Sequence, residues 1–150
     1  MGFTTKQATQ ISQWVDAKDF GEKAAIKIKG IRNQAYAVAR ERSTNQIQTK
    51  GFDPSRASSE DLTSLELLFM CTAHHLIEDW QGIEIDGVDT PFSPDTALKV
   101  MREGGEEGLV FWHFVDTEAK RIQAEADKVK DDAMGKSESS TSGQSTKNPK

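Results

Sequence analysis

Cysteine occurs once in these 150 residues, at Cys71, so the chain cannot close an internal disulfide. That suits a reducing compartment and withdraws the usual staple of small secreted domains. Long apolar runs are missing too. The richest, residues 65–77, is interrupted by Glu66, Thr72, His74 and His75, whereas a membrane helix needs roughly 20 apolar residues in succession. Residues 1–13 are polar and lack the basic-then-apolar layout of a secretion signal, so a cytoplasmic location is expected. No glycine-rich phosphate loop is present; Gly104-Gly105 stands alone and is followed by Glu106 and Glu107. Hydrophobic residues make up only 35% of the chain, which leaves part of it outside any core.

Charge is plentiful and segregated. Residues 1–50 hold nine Lys/Arg against four Asp/Glu, and residues 51–133 hold seven against nineteen. The basic third is mixed with acids and carries no arginine-rich run, and the acidic body would repel phosphates, so nucleic acid is not an expected partner. Attraction between the basic and acidic parts, within the fold or between subunits, accounts for the pattern.

Residues 24–28 alternate as a strand: Ala24, Ile26 and Ile28 point one way, and Lys23, Ala25, Lys27 and Lys29 the other. Before it, residues 1–20 fit either a helix capped by Thr4 or Thr5 and running to Trp14, or a short strand over 11–15; Gly21 marks a turn. Asn33 is placed to cap a helix over 34–46 whose inner side would be Ala35, Val38, Ala39 and Arg42. Residues 50–57 form a loop. Ser58, with Asp61 returning the hydrogen bond, predicts the start of the central core helix, with Leu62, Leu65, Phe69, Thr72, Leu76 and Trp80 as its stripe and Gly82 as its end. Asp86-Gly87 signals a tiny hairpin or an extended loop within 83–90. Ser93, Pro94 and Asp95 open a helix that stops at Gly104-Gly105. A last long helix runs from Glu106 to about residue 130, apolar in its first half and charged in its second, where Ile122, Ala126 and Val129 continue one apolar line. The chain therefore reads as mainly α with a small β element. One compact helical domain spans residues 1–133, with a short N-terminal strand or hairpin and a long C-terminal helix. A Ser/Thr/Gly/Lys-rich tail over 134–150 is expected to be disordered.

Chemistry-bearing groups are sparse. Cys71 and His75 share a helix face and His74 adjoins them, but zinc generally needs four ligands and His113 is the sole remaining histidine, so no metal and no cofactor are expected. A nucleophilic cysteine favours an electropositive, partly exposed setting, and Cys71 sits among hydrophobes, so no catalytic residue is assigned. Glu84, Asp86 and Asp89 alternate on a loop without the full calcium-loop pattern and read as a solvated acidic turn. What stands out is aromatic. Trp80, Phe92, Trp112 and Phe114 surround one loop; core packing accounts for most of them, and Phe92, on a proline-bracketed loop, is the one best placed to anchor a partner instead. With Ile122 and Val129 they are the candidate partner-binding residues.

The run His75-Leu76-Ile77-Glu78-Asp79-Trp80-Gln81-Gly82, then Asp86-Gly87, then Pro91-Phe92-Ser93-Pro94-Asp95-Thr96-Ala97 resembles the tail assembly chaperones of long-tailed bacteriophages. Those proteins often show a helix ending in Asp-Trp-x-Gly, an acidic glycine loop and a Pro-aromatic-Ser/Thr-Pro helix start. The likeness extends over residues 20–130, with Thr96 where the family often has Asn. It implies a non-enzymatic protein of the host bacterial cytoplasm, absent from the mature virion. Such a protein keeps the tape measure protein soluble, helps recruit the major tail (tube) protein, and can self-associate. A frameshift near Gly135-Lys136, as in many relatives, would replace the tail. The competing readings are a structural tail completion or connector protein of the virion, and a small metal- or cysteine-dependent enzyme using Cys71, His74 and His75.

Overall fold

A computed structural model describes residues 11–49, 53–58 and 62–142. The elements run β1 (Ser12–Asp16), β2 (Ala25–Lys29), α1 (Gln34–Thr49), α2 (Ser64–His75), β3 (Ile77–Gln81), β4 (Glu84–Ile85), β5 (Val88–Asp89), α3 (Pro94–Glu103) and α4 (Gly105–Ser142). The fold is mainly helical with a small antiparallel sheet, as the sequence implies.

The residue 11–20 ambiguity resolves as a strand. β1 pairs antiparallel with β2, and the turn between them closes through Ala17 N–H to the Ala24 carbonyl at 2.9 Å. The N-terminal helix cap at Thr4 or Thr5 lies outside the described residues. β2 is the middle strand of the order β1-β2-β3 and not an edge. Its apolar side, Ile26 and Ile28, is wholly buried. On the other side Lys27 reaches Glu78 of β3 at 2.6 Å, so the lysine row is partly used in cross-strand pairing.

The central helix is shorter than its stripe suggests. α2 ends at His75, and Trp80 belongs to a strand. Leu76, the α2 C-cap, and Trp80 are both buried and four apart, a spacing that imitates a continuing helix. β3 carries a bulge: Ile28 opposes Ile77 and Lys27 opposes Asp79, which leaves Glu78 as the extra residue. The start of α2 is corrected as well. Thr63, not Ser58, is the N-cap; its hydroxyl accepts from Glu66 N–H at 3.0 Å while Glu66 accepts from Thr63 N–H at 3.0 Å. Glutamate has the arm length that this reciprocal box requires.

Asn33 caps α1 as expected, its Oδ1 accepting from Tyr36 N–H at 2.8 Å. Its amide also donates to the carbonyls of Gly30 (3.1 Å) and His75 (3.2 Å), so one buried side chain ties β2, α1 and the end of α2 together. The buried face of α1 centres on Tyr36, one step round from the expected face; Ala35 and Arg42 are exposed. Ser93 caps α3, with Pro94 in its first turn.

α4 crosses the sheet. Phe111, Val115, Ala119 and Ile122 form its buried seam. Further along, Gln123 accepts from Arg32 N–H at 3.2 Å, and Asp127 pairs with the Arg32 guanidinium, which stitches the helix to the start of α1. The helix runs on to Ser142, nine residues into the stretch expected to be tail. Once a helix exists, each added residue gains a backbone hydrogen bond, and the isolated Gly135 costs only about 1 kcal/mol. Residues 143–150 of the expected tail lie outside the described residues.

Candidate partner-binding surface

The aromatic residues form a connected chain through the molecule. Phe92 packs edge-on against Trp80 with centroids 5.2 Å apart, and Trp80 meets Phe111 at 6.1 Å. Phe111 in turn meets Phe20 at 5.2 Å, and Phe20 meets Phe114 at 5.5 Å. Such contacts contribute about 0.5–1.5 kcal/mol each beyond area burial. The Trp80 indole donates to the Thr90 carbonyl at 2.8 Å, fastening the β4–β5 hairpin to the sheet. Trp112 leaves on the opposite side of α4, donating to the Thr72 hydroxyl at 3.0 Å beside Phe69.

The six candidate partner-binding residues therefore divide. Trp80 and Ile122, 4% and 0% exposed, are core residues and offer a partner nothing; the aromatic chain and the α4 seam consume them. Phe92, Trp112 and Phe114 are half-buried. Val129, 69% exposed, stands on the projecting part of α4. Sequence reasoning missed Leu109 and Val110, which emerge on the two flanks of the α4 seam, 44% and 55% exposed. Their apolar run hid this, because seven consecutive apolar or aromatic-rich positions cannot all face one way on a helix.

The hairpin helps to build a cleft. Asp86 and Gly87 both have positive φ, 53° and 79°, the geometry of a tight two-residue turn. At the hairpin base Gly82 has φ +69°, and a Cβ there would lie 2.4 Å from the Lys23 carbonyl oxygen. Across from the hairpin, α3 turns into α4 so closely that a Cβ on Gly108 would lie 2.6 Å from the Met101 carbonyl oxygen. Between hairpin and corner lies a cleft of about 480 Å³. Phe20, Ile83 and Phe111 line its apolar part, and its charged residues are Asp19, Glu84, Asp86, Glu103, Glu107 and Lys99. A second hollow of about 570 Å³ adjoins it, sharing Phe20 and Glu84 and adding Glu22, Asp89 and Lys23. Among the described residues none of these carboxylates forms an ion pair.

The cysteine–histidine group sits elsewhere, in a shallow groove of about 260 Å³ between α1 and α2 that Arg42 also lines. Cys71 is buried with its Sγ 3.8 Å from the Ser43 hydroxyl. The His74 and His75 rings lie 6.1 Å apart, and burial, with His74 and Lys29 adding to it, holds the His75 imidazole below its ordinary pKa. No three His, Cys, Asp or Glu side chains converge among the described residues. Nor is any described helix long and apolar enough to cross a membrane.

A family model described as YdaY prophage protein matches residues 31–136, from the approach to α1 through most of α4. No curated protein and no solved structure matches the chain.

Proposed function

The chain belongs to the YdaY prophage protein family, and we propose that it works as a tail assembly chaperone, a phage protein that holds another polypeptide and transforms no substrate. Its clients are the tape measure protein, which it keeps soluble, and the major tail protein, which it helps recruit. It acts in the host bacterial cytoplasm and is left out of the finished virion. One observation carries this reading. Beside a well-filled core, α4 leaves Leu109, Val110 and Val129 outside, and α2 leaves Leu65. Exposed apolar side chains on both flanks of α4 and on α2 give a partner polypeptide apolar footholds. The likeness of residues 75–97 to tail assembly chaperones supports it independently, and the Trp80 of that motif anchors the hairpin that shapes the cleft.

The test is co-expression with the long tape measure protein of the same prophage. The proposed role requires the soluble fraction of that protein to rise several-fold with the chain present, and Leu109→Asp with Val110→Asp to abolish the rise. An unchanged soluble fraction with the wild-type chain would end the proposal. Stoichiometric presence of the chain in purified particles would instead make it a tail completion or connector component.

A further inference from the structure

We propose that the cleft between the β4–β5 hairpin and the α3–α4 corner docks a lysine- or arginine-bearing helix of a partner protein, its cations on the acidic rim and its aliphatic residues on the half-buried Phe20, Ile85 and Val100. The inference rests on the holding role proposed above and names the surface and the client chemistry.

Three features point to this occupant. The first is size: about 480 Å³ lies within the roughly 300–1,000 Å³ of ordinary ligand clefts. The second is the sign of the charge. Across the two adjoining hollows seven carboxylates face two lysines, Lys23 and Lys99, and none of the seven is ion-paired among the described residues. Elsewhere, over the described residues up to 132, seven of fourteen acids are ion-paired, among them Glu66 with Arg102, Glu78 with Lys27 and Asp127 with Arg32. The third is a placement that works against stability. Glu84 and Asp89 are directly opposite partners in the β4–β5 hairpin, and like charges facing each other across strands destabilise the pair. A two-rung hairpin has little stability to give up. A cationic side chain beside Glu84, which lines both hollows, would offset that repulsion. The apolar floor then favours a cation carried on a long aliphatic stem, beside leucine-like neighbours, over a small hydrated ion.

The experiment uses the full chain and two synthetic amphipathic helical peptides with the same leucines, one with lysine and one with glutamate on the polar positions. Fluorescence anisotropy at low salt should show the lysine peptide binding at least about tenfold tighter. Glu103→Gln with Glu107→Gln should weaken it about tenfold, and so should Glu84→Gln with Asp86→Asn, where asparagine tolerates the positive φ. Asp131→Asn with Asp132→Asn removes the same formal charge from the far end of α4 and should change the affinity less than about twofold. Equal binding of both peptides would overturn the inference. So would an equal loss in the far-end control, which would reduce the effect to net charge. So would about tenfold tighter binding after removal of residues 143–150, which carry Lys147 and Lys150 and would then be the true occupant. If the cleft variants still keep the tape measure protein soluble, the cleft assignment fails and the chaperone role stands. If the wild-type chain never solubilises that protein, the role fails while the peptide preference still reports on the cleft.

Discussion

Two populations of carboxylates occupy this molecule. On the sheet and helix side, Glu66, Glu78 and Asp127 are each held by a cation and by neighbouring hydrogen bonds. Around the hairpin and the α3–α4 corner, Glu84, Asp86, Asp89, Glu103 and Glu107 have no cation of their own among the described residues. The first group fastens elements together. The second gathers charge around a cleft whose partly exposed apolar lining is Phe20, Ile85 and Val100. The contrast sets acids that fasten elements together against acids gathered around one cleft.

Phe111 belongs to both regions, since it is core and cleft floor at once. Phe111→Ala should cost about 3–5 kcal/mol by urea unfolding; a loss below about 1 kcal/mol would mean that the aromatic chain is not the hinge between them. A smaller effect tests the paired side. Thr63→Ala should cost about 1 kcal/mol by removing the box that positions Glu66 toward Arg102, measured as a lowered unfolding midpoint at constant slope.

Smaller again are the charges themselves, where the two populations should differ in sign. The Thr63 backbone and then Arg102 hold Glu66 below its ordinary value of 4.5; Lys27 does so for Glu78, and Gln123 and then Arg32 do so for Asp127. Depressed carboxyl values favour the ionised form in the folded state. Their stabilisation is present above about pH 4.5 and is lost as pH falls through the lowered values. Urea midpoints should therefore fall below pH 4.5, and Glu78→Gln should flatten that fall while costing about 0.2–1 kcal/mol at pH 7, since the pair is solvent-screened. The opposite sign is expected in the hairpin. Glu84→Gln should raise stability at pH 7 by about 0.2–0.5 kcal/mol, by relieving the repulsion with Asp89. A loss on Glu84→Gln would show that this acid has a structural partner and would dissolve the distinction.

Much of the fold was legible because single residues announced it. Asn33, Ser93 with Pro94, and Asp86-Gly87 each sit where their side-chain or backbone chemistry demands. The alternation of Ile26 and Ile28 with Lys27 and Lys29 marked β2. The errors also have physical causes. Trp80 lies four residues after Leu76, the buried C-cap of α2, and that helical step drew it into α2 although a strand begins at Ile77. Ser58 and Asp61 offered a plausible cap, but the Thr63–Glu66 box, with its longer acidic arm, caps the helix. Helix periodicity assigned Ile122 to a partner, whereas the sheet beneath α4 buries it. The cleft could not be read from the sequence, since its residues run from Asp19 to Phe111 and only folding brings them together.

The most direct measurement is hydrogen–deuterium exchange of the full chain alone and mixed with the prophage's tape measure protein. If the chain holds that protein through the surface described above, a complex forms and protection concentrates on residues 83–90, 99–110 and the flanks of α4. No complex, or protection confined to the α1–α2 groove around Cys71, would contradict it.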